Sequence, residues 1–207
     1  MTHINWNLPP LRSGILGLID KAAGPGATKV EYALQTLFPL GAAYLAYSYA
    51  AVTFPEWGWW KVTLYALLAF DMLGGIITNS TSSAKRWYHR EGQRTIQHLR
   101  FVALHIFQIS VVAIVFRDFD YFYLATVFAF MMGASAIILF TPIYLQRATA
   151  LILFAVGIIL NFYAWPPVTG IEWFTLALLL KLLVAHLPHE EPYRPKLEDN
   201  VSSKFSN

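Results

Sequence analysis

Six apolar stretches dominate the pattern of hydrophobic and polar positions: Glu31 to Thr53, Trp60 to Ser80, Gln97 to Phe116, Tyr121 to Phe140, Ala148 to Ala164 and Ile171 to Leu187. Each approaches the roughly 20 residues that a helix needs to cross a bilayer. They predict an all-α polytopic membrane bundle of six transmembrane helices. Ahead of them, Leu8, Leu11, Ile15, Leu18 and Ile19 recur at helical spacing, with Arg12, Ser13, Asp20 and Lys21 on the other side. That pattern predicts an N-terminal amphipathic helix over Leu8 to Asp20, lying on the membrane or capping the bundle. Gly24-Pro25-Gly26 ends it. The chain divides into a tail and interfacial helix (1–30), a transmembrane domain (31–187) and a polar C-terminal tail (188–207), read as disordered from about Lys196.

Composition agrees with this pattern. Of 207 residues, 57% are hydrophobic and only 13% are charged, against roughly 25% charged in a soluble domain. There is no cysteine, so disulfides, thiolate metal ligands and cysteine nucleophiles are excluded. No charged n-region leads directly into an apolar core, and no cleaved signal peptide is expected. Nothing points to nucleic acid, and membrane lipids are the expected partners. A homo-oligomer or a larger membrane complex also fits.

The net charge of +3 matters less than where the charges lie. Arg12, Lys21, Lys29, Lys85, Arg86, Arg90, Arg94, Arg100, Arg147, Arg194, Lys196 and Lys204 fall on one side of a six-span topology. Lys61 and Arg117 fall on the other, and Lys181 lies within the last span. The positive-inside rule then places both termini in the cytoplasm, for a protein of a plasma or inner membrane. The Trp57, Trp59 and Trp60 cluster reads as an interfacial aromatic belt.

The spans carry polar groups that a bilayer penalises, and an ionisable residue there is a functional-site hypothesis by default. Asp71 and Asn79 share a helix face with Gly75 and Thr78. His98, His105 and Gln108 lie on the next span. Asp71 and His105 are each about 12 Å from the cytoplasmic ends of their spans, at ~1.5 Å per residue. Consecutive antiparallel spans are expected neighbours. A ladder follows, with Asp71 meeting His105 at depth and Asn79 meeting His98 at the rim.

Three chemistries suit this set. Asp71 and His105, with His186 or His189, form a ligand set for zinc or iron. Alternatively, an Asp–His pair at low dielectric relays protons, with Lys181 as counter-charge. The third reading is structural: Asp71 pairs with Lys181 or His105 only to lock the bundle. At the rim, Lys85, Arg86, Arg90 and Trp87 are candidates for holding an anionic headgroup, and equally serve as topology determinants.

Dinucleotide-binding, P-loop and zincin motifs are absent, as is the rhomboid serine pattern. Histidines near the cytoplasmic span ends with an assisting Asp are loosely similar to the alkaline ceramidase type of intramembrane hydrolase, which holds zinc this way. The number of spans differs, and the close C-terminal histidine pair is not present in that family's form. The favoured expectation is a membrane-embedded enzyme, metal- or acid/base-assisted, acting on a lipid or lipophilic substrate as a hydrolase. Asp71, His105, Asn79 and His98 would be its catalytic residues. The asymmetry carries this choice, because the polar groups collect towards one leaflet. A proton- or ion-coupled transporter and a structural or assembly subunit are the alternatives.

Overall fold

The computed structural model describes residues 2–195, and the expected disorder from about Lys196 lies outside them. The fold is helical, with one small β-ribbon. The helices are α1 (Gly14–Ala23), α2 (Lys29–Thr53), α3 (Trp59–Ser80), α4 (Ser82–Tyr88), α5 (Thr95–Ala103), α6 (Ile106–Val111), α7 (Tyr121–Phe140), α8 (Ile143–Tyr163) and α9 (Phe174–Leu179). Two π-helical segments extend them, Val112–Phe116 after α6 and Leu180–His186 after α9. Strand β1 (Thr2–Ile4) pairs antiparallel with β2 (Tyr193–Pro195), in the register His3 opposite Arg194. Both ends of the described chain therefore meet at one end of the bundle.

Among the described residues, four helical stretches are long and apolar enough to cross a membrane: Trp59–Ser80, Thr95–Phe116, Tyr121–Phe140 and Ile143–Tyr163. These fall on the second to fifth predicted stretches. The fifth begins at Ile143 rather than Ala148, because Pro142 starts the helix and its fixed φ suits that end. The outer surface is apolar. Val52, Phe140 and Tyr163 are more than three-quarters exposed, which suits hydrocarbon rather than water as solvent.

The last helical stretch is the most enclosed part of the bundle. Phe174, Leu178, Leu179, Leu182 and Leu183 are fully buried, and the stretch packs against α3, α7 and α8. The α2–α3 pair packs most extensively of all. Pro39 of α2 lies against Gly74, where a Cβ would come within 2.7 Å of its ring.

The N-terminal helix starts later than its periodicity predicts, and residues 8–13 are not helical. Pro9 and Pro10 fall in this stretch, and proline restricts the residue before it away from helical geometry. Asp20 is turned inward, not to the polar side. Its carboxylate accepts from the Arg12 backbone N–H at 2.9 Å and from the Arg12 guanidinium at 2.6 Å. Ile15, Leu16 and Leu18 face out. At Gly24, φ is +86° and a Cβ would lie 2.2 Å from the Ser83 backbone. Only glycine satisfies both conditions there.

Candidate functional site

Asp71 lies in the second half of α3, where Gly74 and Gly75 thin the helix face. A Cβ on Gly75 would sit 2.3 Å from Lys181 Cε, so the missing side chain is what lets the lysine pass. Lys181 then donates to Asp71 Oδ1 at 2.8 Å, and Gln108 Nε2 donates to Asp71 Oδ2 at 3.1 Å. The ammonium is almost wholly buried, while the Asp71 side chain remains 41% exposed. Asn79 donates to the backbone carbonyl of Lys181 at 3.5 Å. That carbonyl lies in the π-helical segment, a geometry that often accompanies functional sites.

His105 stands where its span is broken. α5 ends at Ala103 and α6 begins at Ile106, a discontinuity that the apolar pattern does not announce. Its ring Nδ1 is 3.0 Å from the Phe101 carbonyl. A carbonyl only accepts, so Nδ1 carries the proton and Nε2 of the neutral ring keeps the lone pair. His105, Asp71, Thr78, Asn79, Gln108 and Lys181 line one cavity of about 560 Å³. Ile19, Phe70, Phe101 and Leu104 supply apolar wall. Asp71 and Gln108 also border a second, apolar groove of about 330 Å³ formed with Leu64, Leu67, Leu68, Phe107 and Val111.

The expected ladder is therefore rearranged. Asp71 is paired with Lys181 and Gln108 instead of His105, because Gly75 opens the shorter path. Asn79 bonds Lys181 instead of His98. His98 instead shares a hydrogen bond with His186, Nδ1 to Nε2 at 3.2 Å.

Around that bond the structure gathers four histidine rings. His89 stacks on His98 at 4.8 Å between centroids, and His189 meets His89 edge-on at 5.0 Å. His89 Nε2 donates to the His186 carbonyl at 2.9 Å. Burial pushes the His89 imidazole down to about 3, with positive Lys85 adding to the effect. His189 is lowered for the same reason and packs against Trp6. Sequence reasoning missed His89. It sits on a loop nine residues before His98, and no shared helix face links the two.

The proposed ligand set of Asp71, His105, His186 and His189 is not assembled. Asp71 is held by a cation and an amide, His105 by the Phe101 carbonyl, His186 by His98, and His189 lies on Trp6. Among the described residues, no group of three or more His, Cys, Asp or Glu is arranged to hold a metal ion.

The basic rim also divides. Lys85 and Arg86 are buried. Lys85 donates to the Pro188 carbonyl at 2.9 Å, with Glu190 at 4.0 Å, and burial pushes its ammonium down to about 8. Arg86 donates to the carbonyls of Asn7 and Pro25 at 3.0 and 3.3 Å. Both are turned inward onto backbone carbonyls of neighbouring segments. Arg90 instead lies over the Trp87 ring at 3.6 Å and borders a separate cavity.

These features define a polytopic helical protein of membrane type, with a polar cavity inside an apolar exterior. No protein-family profile matches the chain, and no curated protein or solved structure is significantly similar to it.

Proposed function

We propose that this protein is a membrane-embedded enzyme acting on a lipid or lipophilic substrate, with His105 as general base in the Asp71 cavity. The observation that carries this reading is the state of His105 within that cavity. Its Nδ1–H is tied to the Phe101 carbonyl, which presents Nε2 as a lone-pair base. Beside it, the Lys181 ammonium is fixed by Asp71. A hydroxyl or a water on the substrate could give its proton to His105, while Lys181 and the Gln108 amide stabilise developing negative charge. Asp71 positions both donors. Acid–base chemistry is favoured over zinc or iron because, among the described residues, no three His, Asp or Glu side chains converge around the His105 Nε2 position.

The lipophilic substrate class is supported by the groove that shares Asp71 and Gln108 with the cavity. A chain lying in the groove would bring its polar end to the carboxylate. The same reading takes the chain as six spans with a surface helix at the N-terminus and both termini cytoplasmic. The α2 helix and the Phe174–His186 stretch would complete the set of crossings. Most Lys and Arg lie at the end where the termini pair, which supports that orientation.

The test is comparative lipid analysis of membranes holding the wild type, His105→Ala or Lys181→Met. The expected result is one lipid pool that changes with the wild type and responds at least about a hundredfold less with His105→Ala, the scale of a lost general base. Unchanged lipid pools in every strain would sink the enzyme reading. Proton flux in reconstituted vesicles would then favour a relay through the same residues.

A further inference from the structure

A second polar cavity, of about 190 Å³, lies between α4 and α5 and is walled by Trp87, Arg90, Gln93, Gln97, His98 and His186. Tyr88 and Phe101 line both it and the Asp71 cavity. Its chemistry is one-sided. Among the described residues no carboxylate borders it, and hydrogen-bond donors dominate its wall.

Arg90 spends one N–H on the Trp87 carbonyl, and its guanidinium carbon lies over the Trp87 ring, 3.6 Å from the centroid. A guanidinium has five N–H donors, and Arg90 makes no other hydrogen bond among the described residues. Gln97 Oε1 accepts the Arg94 backbone N–H at 3.0 Å, which leaves its amide nitrogen as donor. His186 is 2% exposed, and its Nδ1 is buried with no hydrogen-bond partner. A buried polar atom without a partner calls for an explanation. An acceptor in the cavity supplies one. In the tautomer in which His98 Nδ1–H donates to His186 Nε2, His186 carries its proton on Nδ1 and becomes a further donor to the ligand.

We propose that this cavity is a binding site for a phosphate group, held by Arg90, Gln93, Gln97 and His186. Planar guanidinium groups recognise phosphate through parallel N–H donors, and the Trp87 ring pre-orients the fork. Lipid headgroups and free phosphate offer the same oxygens. The inference stands on this cavity alone and does not require the Asp71 cavity to be catalytic.

The full-length protein in detergent is titrated with inorganic phosphate, dihexanoyl phosphatidic acid and dihexanoylglycerol, with binding followed by thermophoresis. The expected result is saturable binding of at least one phosphate-bearing probe and none of dihexanoylglycerol. Binding of phosphatidic acid alone identifies a lipid headgroup site; binding of inorganic phosphate alone identifies a soluble anion. Arg90→Gln is expected to weaken binding about tenfold or more, the size of a lost charged hydrogen bond. Arg90→Lys should lose less, and Arg100→Gln, which removes an exposed charge elsewhere on α5, should change nothing. Ligand-free melting checks that each variant folds. Gln93→Leu keeps the charge and must also weaken binding, so it decides the matter if Arg90→Gln does not fold. Equal losses in Arg90→Gln and Arg100→Gln would reveal only diffuse surface charge and overturn the site. So would a wild type that binds none of the probes.

Discussion

At the residue scale, burial of single titratable groups sets how this protein should respond to pH. His89 titrates near 3 in the fold, held down by burial and by positive Lys85, against 6.5 when free. Its neutral form belongs to the fold, so its contribution is complete above pH 6.5 and is lost as pH falls towards 3. Asp20 is held near 2 by the Arg12 guanidinium. That contribution is present above 3.8 and disappears only below it. Between pH 6.5 and 4, His89 therefore dominates of the two. His89→Gln keeps an N–H for the His186 carbonyl and removes the titration. Melting temperature measured across this range should fall less steeply with acid in the variant; an identical slope would show that His89 is not the responsive group. Lys85 gives the opposite arm. Its ammonium is penalised below about 8, so stability should climb from pH 8 towards 10.5, and Lys85→Met should remove that climb. Asp71, His105 and Lys181 could all be named from sequence as charges in apolar spans. Their pairing could not, because it depends on which helix faces meet.

At the scale of elements, small residues and helix irregularities decide what the polar groups touch. Gly75 is the clearest case. An alanine there would put a Cβ 2.3 Å from Lys181 Cε and 2.7 Å from Cδ. The flexible lysine end would have to move, and Asp71 would lose the 2.8 Å bond. Gly75→Ala should therefore destabilise the protein by about 1–3 kcal/mol, as overpacking does. The loss should shrink in a Lys181→Ala background, where the colliding atoms are gone. Denaturation of all four chains measures this coupling, and strict additivity would refute the proposed contact. Sequence periodicity located this helix and its small-residue face well. It did less well on the neighbouring span, where the break at Leu104–His105 and the π-helical turn to Phe116 sit inside a stretch that reads as one continuous helix. Nothing in that stretch favours a break over a continuous helix, so tertiary packing is left to choose.

On the scale of the whole molecule, the two ends of the described chain close over the histidine cluster. β1 pairs with β2, Trp6 packs on His189 at 4.7 Å, and Arg86 and Lys85 hold the Asn7 and Pro188 carbonyls. Deleting residues 2–7 would strip the strand pair and one wall around His189 together. It should lower the melting temperature and flatten its dependence on Lys85. An unchanged melt would show that the ribbon is only an ornament of the fold. Orientation is open to a direct measurement because the chain has no cysteine. Glu91→Cys lies on the exposed loop before α5, and Glu56→Cys lies on the loop between α2 and α3. The six-span arrangement expects an impermeant thiol reagent outside intact cells to label the Glu56 variant and not the Glu91 variant. The reverse pattern would invert the topology, and labelling of both would remove it.

Composition and periodicity alone determined that the chain is helical and apolar enough for a membrane, and that its ionisable residues collect in particular spans. Those properties follow from local sums along the chain: the free energy of moving each side chain into hydrocarbon, and the 3.6-residue period that assigns it to a face. Tertiary structure alone decided that Asp71 takes Lys181 rather than His105, that Lys85 and Arg86 turn inward, and that His89, His98, His186 and His189 gather. These outcomes join residues up to 110 positions apart. They depend on how closely two helices approach, which rests on steric details such as the absent Cβ of Gly75 and no local pattern encodes.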